Sequence, residues 1–363
     1  MQVQGDNTAM KTAGGKLKTV RVRINSTIAD VAEGATILEA AKAIGIDIPA
    51  LCNHPMISHS GACRICIVEV NGNPTTSCTT LVEEDMEIVT NSPYIEDLRR
   101  DTIDLILSDH PFDCMVCQKT GECELQELAY TYNIRKPVFS GERRTYARKD
   151  GNPFIERDME KCILCGRCVK ICDEVQGVGA IDFAYKGFGT KVCPPFERDL
   201  SCEFCGQCVM ACPTGALVGK SWIGKGRYWK IRETDTTCPY CGVGCSITLH
   251  VKDKQIIRVT SKPESVVNSG LLCVKGRFGY GFVSSPDRLK YPLIRKNGSL
   301  QPATWDEALD FAAQGLRKIK DEHGPDAIAG LSSARCTTEE NYLFQKFMRA
   351  AVGTNNVDHC ARL

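Results

Sequence analysis

Cysteine is the residue type with the most chemical capacity in this chain, and its spacing is organised. Of the 22 cysteines, all but Cys193, Cys336 and Cys360 fall into five groups with short gaps. The first is Cys52, Cys63, Cys66 and Cys78, spaced C-x10-C-x2-C-x11-C. The second joins His110 to Cys114, Cys117 and Cys123, with three residues between the histidine and a C-x2-C-x5-C run. The third, Cys162, Cys165, Cys168 and Cys172, reads C-x2-C-x2-C-x3-C; the fourth, Cys202, Cys205, Cys208 and Cys212, repeats it and is followed by Pro213. The fifth is Cys238, Cys241, Cys245 and Cys273, spaced C-x2-C-x3-C-x27-C. Each group offers four donors of the kind that bind zinc or the irons of an iron–sulfur cluster.

Disulfides in an oxidising compartment are the competing use of so many cysteines. Disulfide proteins are usually small and scatter their cysteines, whereas these stand mostly two residues apart. The N-terminus, MQVQGDNTAMKTAGGKLK, has no apolar core and no twin arginine, so it carries no visible export signal. Metal ligation in a reducing, cytoplasmic setting is the reading that follows.

The groups differ in the chemistry they suit. Four thiolates in the first match a [2Fe–2S] cluster, since each iron takes two sulfur ligands; its first gap departs from the C-x4-C-x2-C…C plant ferredoxin form, and a zinc loop is the alternative. Three thiolates and an imidazole in the second could hold zinc or a [4Fe–4S] cluster. An imidazole in place of a thiolate removes one negative charge and should raise the reduction potential. The third and fourth groups form the bacterial two-cluster ferredoxin signature, in which the last cysteine of each run serves the other cluster. Cys162, Cys165, Cys168 and Cys212 are therefore expected on one cube, and Cys202, Cys205, Cys208 and Cys172 on the second. The fifth group fits one more [4Fe–4S] cluster. Cys193, Cys336 and Cys360 read as small, partly buried apolar residues.

Several elements must position these groups. KTVRVRIN reads as a strand and TILEAAKAIG as a helix, a start that suits a small ferredoxin-like domain. SITLHV and QIIRVT predict a small β domain between the third and fourth ligands of the fifth group. Thr304 with Glu307 forms a capping box that opens a helix through about Lys320. DAIAGLS reads as a buried strand. Thr337 with Glu340 caps a second helix to about Val352, stopped by Gly353, and NNVDHC begins another strand. Alternating strands and helices imply a parallel sheet covered on both faces. Two of each cannot cover such a sheet, so this last region is expected to be unstable alone.

The totals exclude several function classes. With 45 basic and 44 acidic residues and a formal charge of +1, there is no electrostatic case for nucleic acid. No stretch approaches the roughly 18 apolar residues of a membrane span. GKSWIGK, from Gly219 to Lys225, matches the start of a phosphate loop, but Gly226 stands where Ser or Thr is required and no apolar strand is evident before it. No G-x-G-x-x-G fingerprint appears, so a nicotinamide or flavin would be bound by another chain.

ALCNHPMISHSGACRICIVEV, DHPFDCMVCQKTGECELQ and the paired ferredoxin runs resemble the N-terminal half of the large iron–sulfur subunit of NADH:quinone oxidoreductase. The same modules begin some iron-only hydrogenases. TTCPYCGVGCSITLHV and GLLCVKGRFGYGFV are similar to the opening segment of molybdenum or tungsten bis-pterin oxidoreductases. SSARCTTEENYLFQKFMRAAVGTNNVDHCARL resembles the cytoplasmic formate dehydrogenase branch. The resemblance implies an α+β multidomain chain: a ferredoxin-like [2Fe–2S] domain at 18–95, a mixed histidine/cysteine [4Fe–4S] domain at 96–140, a bacterial two-[4Fe–4S] ferredoxin domain at 141–230, a small β [4Fe–4S] domain at 231–290 and the start of an α/β bis-pterin molybdoenzyme domain at 291–363. It implies one [2Fe–2S] and four [4Fe–4S] clusters, with molybdenum or tungsten bis-pterin guanine dinucleotide in the full-length protein. Lys275 would lie between the fifth cluster and the pterin, with Gly276 and Arg277 approaching the pterin or its phosphates.

The family places a metal-ligating Cys or selenocysteine, then a catalytic His, a few residues beyond the equivalent of Leu363. The chain is therefore expected to break off near an in-frame UGA, with no catalytic residue of its own. The function implied is the electron-transfer segment of an NAD(P)-linked formate dehydrogenase large subunit. It would pass electrons from formate oxidation to a flavin- and NAD(P)-binding iron–sulfur subunit or a ferredoxin. A non-catalytic carrier subunit of a quinone oxidoreductase or hydrogenase complex is the alternative, and a zinc-rich interaction module the third.

Overall fold

Val20, Val22 and Ile24 alternate with Arg21 and Arg23 in the first strand, β1 (Thr19–Ile24), and the alternation decides which face is buried. Val22 and Ile24 are enclosed while both arginines face solvent. This computed structural model describes residues 18–146 and 151–360. The polar N-terminal stretch and the closing Ala361, Arg362 and Leu363 lie outside the described residues. Contacts divide the chain into two units, residues 1–231 and 232–363.

In the first unit, β1 is followed by β2 (Thr27–Ala32), α1 (Ile37–Ala43), β3 (Ile67–Val70), β4 (Asn73–Thr76) and β5 (Glu87–Val89). The five strands form one sheet in the order β2-β1-β5-β3-β4, with β1 and β5 parallel and the other neighbours antiparallel. Thr36 and Glu39 make a capping box at the start of α1, which buries Ile37, Leu38, Ala40 and Ala41 in the same core as Val22, Ile24 and Ile88. Full burial of each such aliphatic side chain contributes about 1.5–3 kcal/mol. Cys66 and Cys78 belong to this core, so the sheet positions half of the first cysteine group directly.

Helix α2 (Pro93–Ser108) starts on Ser92, whose side chain accepts from the Ile95 N–H, and has Pro93 in its first turn. Its buried face carries Ile95, Ile103 and Leu107, and also Arg99. α3 (Glu124–Thr131) follows the second cysteine group. Then come β6 (Ile155–Arg157), α4 (Arg167–Lys170), β7 (Asp182–Ala184), β8 (Lys191–Cys193), α5 (Gln207–Ala211) and β9 (Leu217–Gly219). β6 pairs with β9 and β7 with β8, both antiparallel, so each ferredoxin repeat contributes one strand to each pair. A short buried strand, β9, does precede the GKSWIGK segment, contrary to the sequence reading; Gly219 closes it with the Trp222 ring stacked where a side chain would stand.

The second unit opens with β10 (Arg232–Thr237), β11 (Ser246–Lys252) and β12 (Gln255–Thr260), an antiparallel sheet in that order. The expected hairpin between the third and fourth ligands is β11–β12, and β10 adds a strand ahead of the first ligand. α6 (Val274–Phe278) and the hairpin β13 (Leu293–Lys296)–β14 (Ser299–Pro302) follow. α7 (Trp305–His323) carries the Thr304–Glu307 capping box and runs three residues past the expected end. β15 (Gly330–Ser332) is shorter than the expected strand, because Pro325–Ala327 form a 3-10 turn instead. α8 (Thr338–Phe347) carries the Thr337–Glu340 box, widens into a π turn at Met348–Val352 and stops at Gly353, whose φ is +94°. β16 (Val357–His359) lies parallel to β15. α7 buries none of its residues fully, and Trp305 is 70% exposed. Among the described residues no helix is long and apolar enough to cross a membrane.

Candidate metal centres

Cys52, Cys66 and Cys78 are almost wholly enclosed, and Cys63 nearly so. Their thiols hydrogen-bond one another. Cys52 accepts from Cys63 and Cys78, which holds it down to about 2 against the opposing effect of burial. Cys66, accepting from Cys78, is lowered to about 6, and the donors Cys63 and Cys78 are pushed up. Four thiols gathered in a dry site form a donor set for a metal cluster. The Leu51 N–H adds a bond to Cys63 Sγ at 3.4 Å. Arg99 pins the loop from behind. Its guanidinium, 3% exposed, donates to the carbonyls of Ile65 at 3.1 Å, Ile67 at 2.6 Å and Thr90 at 2.9 Å.

His110 stands just beyond the end of α2. Burial pushes its pKa down to about 4 although Asp113 pulls the other way, so the ring is neutral at pH 7, the form that ligates metals. Its Nδ1 is buried with no hydrogen-bond partner. Cys114 and Cys123 line the same cavity of about 540 Å³, with Phe112, Leu125 and Tyr130. Cys117 sits against Gly215, where an added Cβ would lie 2.7 Å from its Sγ. An orphaned imidazole nitrogen, three thiols and a cradle that only glycine leaves open fit a bound metal group.

The two ferredoxin runs repeat in backbone as well as in sequence. Leu164 and Phe204 both have positive φ, +53° and +48°, and so do Gly166 and Gly206. The Leu164 and Phe204 N–H groups turn back onto Cys162 Sγ and Cys202 Sγ at 3.4 and 3.3 Å. Such N–H···S bonds stabilise thiolate charge. Burial first, then Cys212, raises Cys162 and Cys165; burial, then Cys205 and Cys172, raises Cys208. The structure thus gathers Cys162, Cys165 and Cys168 with Cys212, and Cys202, Cys205 and Cys208 with Cys172.

The fifth group lies in the second unit. Cys238, Cys241, Cys245 and Cys273 face one another, with Cys241 and Cys273 exposed. Cys273 precedes α6, which holds all three residues expected near the pterin. Lys275 is exposed, Gly276 leaves its open side 3.8 Å from Cys238 Sγ, and Arg277 is fully enclosed. Of the leftover cysteines, Cys193 is buried as expected, but Cys336 and Cys360 are exposed, because strand ends and helix starts around them lack a covering layer.

Three cations that sequence reasoning missed join the second group to the third. Arg144 pairs with Asp109 and donates to the Cys162 carbonyl. Lys161 Nζ lies 2.8 Å from Asp113 and 3.1 Å from Asp158; burial opposes its charge, but both bonds outweigh it and raise its pKa. Arg167 makes a two-pronged pair with Glu124 at 2.6 and 2.8 Å and reaches the Ala50 carbonyl at 3.5 Å. A charged residue beside each cysteine run was the only available signal. The first three groups also share one apolar core, in which Cys52, Cys63 and Cys165 pack with Leu51, Ile65, Ile103 and Leu125, and Cys123 lies against it.

A zinc module needs four donors about 2.0–2.3 Å from one point. Among the described residues no three or more Cys, His, Asp or Glu side chains form a group that could hold a single ion. An iron–sulfur cluster does not need its donors to converge on one ion, since its cysteines bind different irons. Known families agree. Residues 17–93 match a 2Fe-2S iron-sulfur cluster binding domain, 99–137 the NADH-ubiquinone oxidoreductase-G iron-sulfur binding region, and 152–218 the ferredoxin-like domain of NADH-quinone oxidoreductase subunit 3. Residues 231–285 match a molybdopterin oxidoreductase Fe4S4 domain and 288–363 a molybdopterin oxidoreductase domain.

The chain joins NADH-oxidoreductase-type iron–sulfur domains to a molybdopterin oxidoreductase segment.

The chain is 43% identical over 348 residues to the NADPH-Fe(3+) oxidoreductase subunit alpha of Geobacter sulfurreducens, covering 95% of this chain and 40% of that one. It is 40% identical to the NADH-quinone oxidoreductase G-2 subunit of Rhizobium meliloti, over 94% of this chain and 40% of the relative. A provisionally named formate dehydrogenase of Staphylococcus aureus is 32% identical, over 92% and 38%. The chain therefore spans about 40% of the length of these relatives. A crystal structure of an NAD+-reducing [NiFe]-hydrogenase in the H2-reduced state superposes with a TM-score of 0.54 at 27% identity, over 57% of this chain and 90% of that one.

Proposed function

We propose that this chain is the electron-transfer arm of a cytoplasmic, NAD(P)-linked oxidoreductase whose molybdopterin side acts on formate. The observation that carries the electron-transfer part is the shared apolar core of the first three cysteine groups. Enclosed, closely spaced thiol sets are what one-electron traffic requires.

Cys52, Cys63, Cys66 and Cys78 would hold a [2Fe–2S] cluster. His110, Cys114, Cys117 and Cys123 would hold a [4Fe–4S] cluster. Cys162, Cys165, Cys168 and Cys212, then Cys202, Cys205, Cys208 and Cys172, and finally Cys238, Cys241, Cys245 and Cys273 would hold three more. When bound, these groups supply one-electron transfer, and the chain supplies placement and tuning. The enclosed Cys66 and Cys78 exclude water from the first site. The Leu164 and Phe204 amides favour thiolate charge in the third and fourth. Lys275 and Gly276 keep their proposed place toward a molybdenum or tungsten bis-pterin guanine dinucleotide in the full-length protein. Arg277, fully enclosed, is proposed to support α6 rather than touch that group.

Formate as substrate is supported by the tail from Ser332 and by the Staphylococcus relative. A flavin- and NAD(P)-binding iron–sulfur subunit, or a ferredoxin, is the proposed acceptor, supported by the NADPH- and NADH-named relatives. Those relatives, at 43% and 40% identity, favour a second reading, a carrier arm with no formate chemistry. The full-length product, purified anaerobically, separates the two: formate-dependent dye reduction is expected, and a brown but formate-silent protein leaves the carrier. Zinc in place of iron and acid-labile sulfide would end both.

A further inference from the structure

We propose that Arg144, Lys161 and Arg167 form a charge seam that holds the mixed histidine–cysteine site against the first ferredoxin run and raises the reduction potential of the ferredoxin cube relative to the mixed site. The inference rests on the cluster reading above.

The two arginine pairs give the seam its polarity. Three of its four carboxylates are chain neighbours of mixed-site ligands: Asp109 precedes His110, Asp113 precedes Cys114 and Glu124 follows Cys123; the fourth, Asp158, takes Lys161 at 3.1 Å from the ferredoxin side. Each cation belongs to the other side: Lys161 precedes Cys162, Arg167 precedes Cys168, and Arg144 bonds the Cys162 carbonyl. All three cations are largely withdrawn from solvent: Arg144, Lys161 and Arg167 are 14%, 9% and 7% exposed. Partial burial lowers screening, so the pairs act as oriented dipoles across the gap. Arg144 reaches the Cys162 carbonyl at 3.3 Å and Arg167 stands next to Cys168 in the chain, so both set positive charge beside the cube. Three groups run against the pattern, and the two arginine pairs carry it without them. Lys119 and Lys161 both lie beside Cys117 at Gly215, on the mixed side, and Asp158 offsets Lys161 from the ferredoxin side. Adding an electron adds negative charge, so neighbouring cations raise a cluster's potential and carboxylates lower it. The seam thereby offsets the upward shift that the His110 imidazole gives the mixed site.

The two halves of one ion pair must then act on different centres with opposite sign, which a purely structural bridge would not produce. The test is an EPR-monitored redox titration of the cluster-loaded full chain, with the mixed-site signal assigned through His110→Cys. Glu124→Gln is expected to raise the mixed-site midpoint. Arg167→Met is expected to lower the cube midpoint, each shifting the electron-sharing equilibrium about tenfold, ~59 mV for one electron. Arg167→Lys, which keeps the charge, should restore most of the gap. Where Arg167→Met fails to load clusters, Arg144→Met reads the same sign. Potentials that move less than threefold, or halves that shift the same centre in the same direction, overturn the seam while leaving the cluster reading intact. A chain without iron and sulfide defeats the cluster reading itself.

Discussion

Replacing Arg99 by leucine should loosen the first metal site without touching a ligand. The guanidinium is enclosed, and its three hydrogen bonds go to the carbonyls of Ile65, Ile67 and Thr90. Ile65 lies between Cys63 and Cys66, so the bonds fix the loop that carries both thiols. Hydrogen bonds to a charged group contribute about 1.5–3 kcal/mol each, roughly 5–9 kcal/mol for three. Removing the cation recovers several kcal/mol of its desolvation cost, leaving a net loss of about 3–4 kcal/mol. At 1.4 kcal/mol per decade that is a roughly 10²- to 10³-fold rise in local opening. Native-state hydrogen exchange of the cluster-loaded protein reads it at the amides of β3 and the Cys63–Cys66 loop. Arg99→Lys keeps the charge but reaches fewer oxygens and should lose about 1–2 kcal/mol. Exchange in the leucine variant within threefold of the parent would refute the reasoning, since it would mean that the carbonyls need no guanidinium.

Crossed ligation of the ferredoxin cubes can be read by iron content. Cys212→Ala should remove about four irons, Cys212→Ala with Cys162→Ala no more than that, and Cys212→Ala with Cys202→Ala about eight; the reverse, about eight for the first double variant and about four for the second, would contradict the crossing. His110→Cys should keep the mixed site's cluster and lower its midpoint on the order of 100 mV, because a thiolate adds the charge that imidazole withholds; an unchanged midpoint in the EPR titration argues against ligation by His110. Gly215→Ala places a Cβ 2.7 Å from Cys117 Sγ, against 3.3 Å to Lys161 Cδ and 3.5 Å to Lys119 Cβ. Overpacking there should cost about 1–3 kcal/mol and weaken the mixed site's EPR signal while sparing the [2Fe–2S] signal.

The five donor groups were legible because metal chemistry imposes short, repeated spacings that no other use of cysteine produces. The capping boxes at Thr304 and Thr337 were legible for a similar reason, a fixed three-residue offset between side chains that bond one another. What escaped was set by distance along the chain. β2 has a burial pattern with little alternation, Ile28 being 58% exposed, and only pairing with β1 defines it as a strand. Arg144 meets Asp109 across 35 residues and Arg167 meets Glu124 across 43, so nothing local marks either pair. Arg99 falls where the helix pattern calls for an apolar residue, and two of its three partners, Ile65 and Ile67, lie more than 30 residues earlier.

The crossing of Cys172 and Cys212 between the two ferredoxin runs bears on biosynthesis. While the ribosome is still translating the stretch between the repeats, Cys162, Cys165 and Cys168 have emerged without their fourth partner, and Cys172 waits for a run that does not yet exist. Neither cube can be completed on a nascent polypeptide that stops short of the second repeat. With the proposed crossed ligation, either cube would be completed only after both repeats have met.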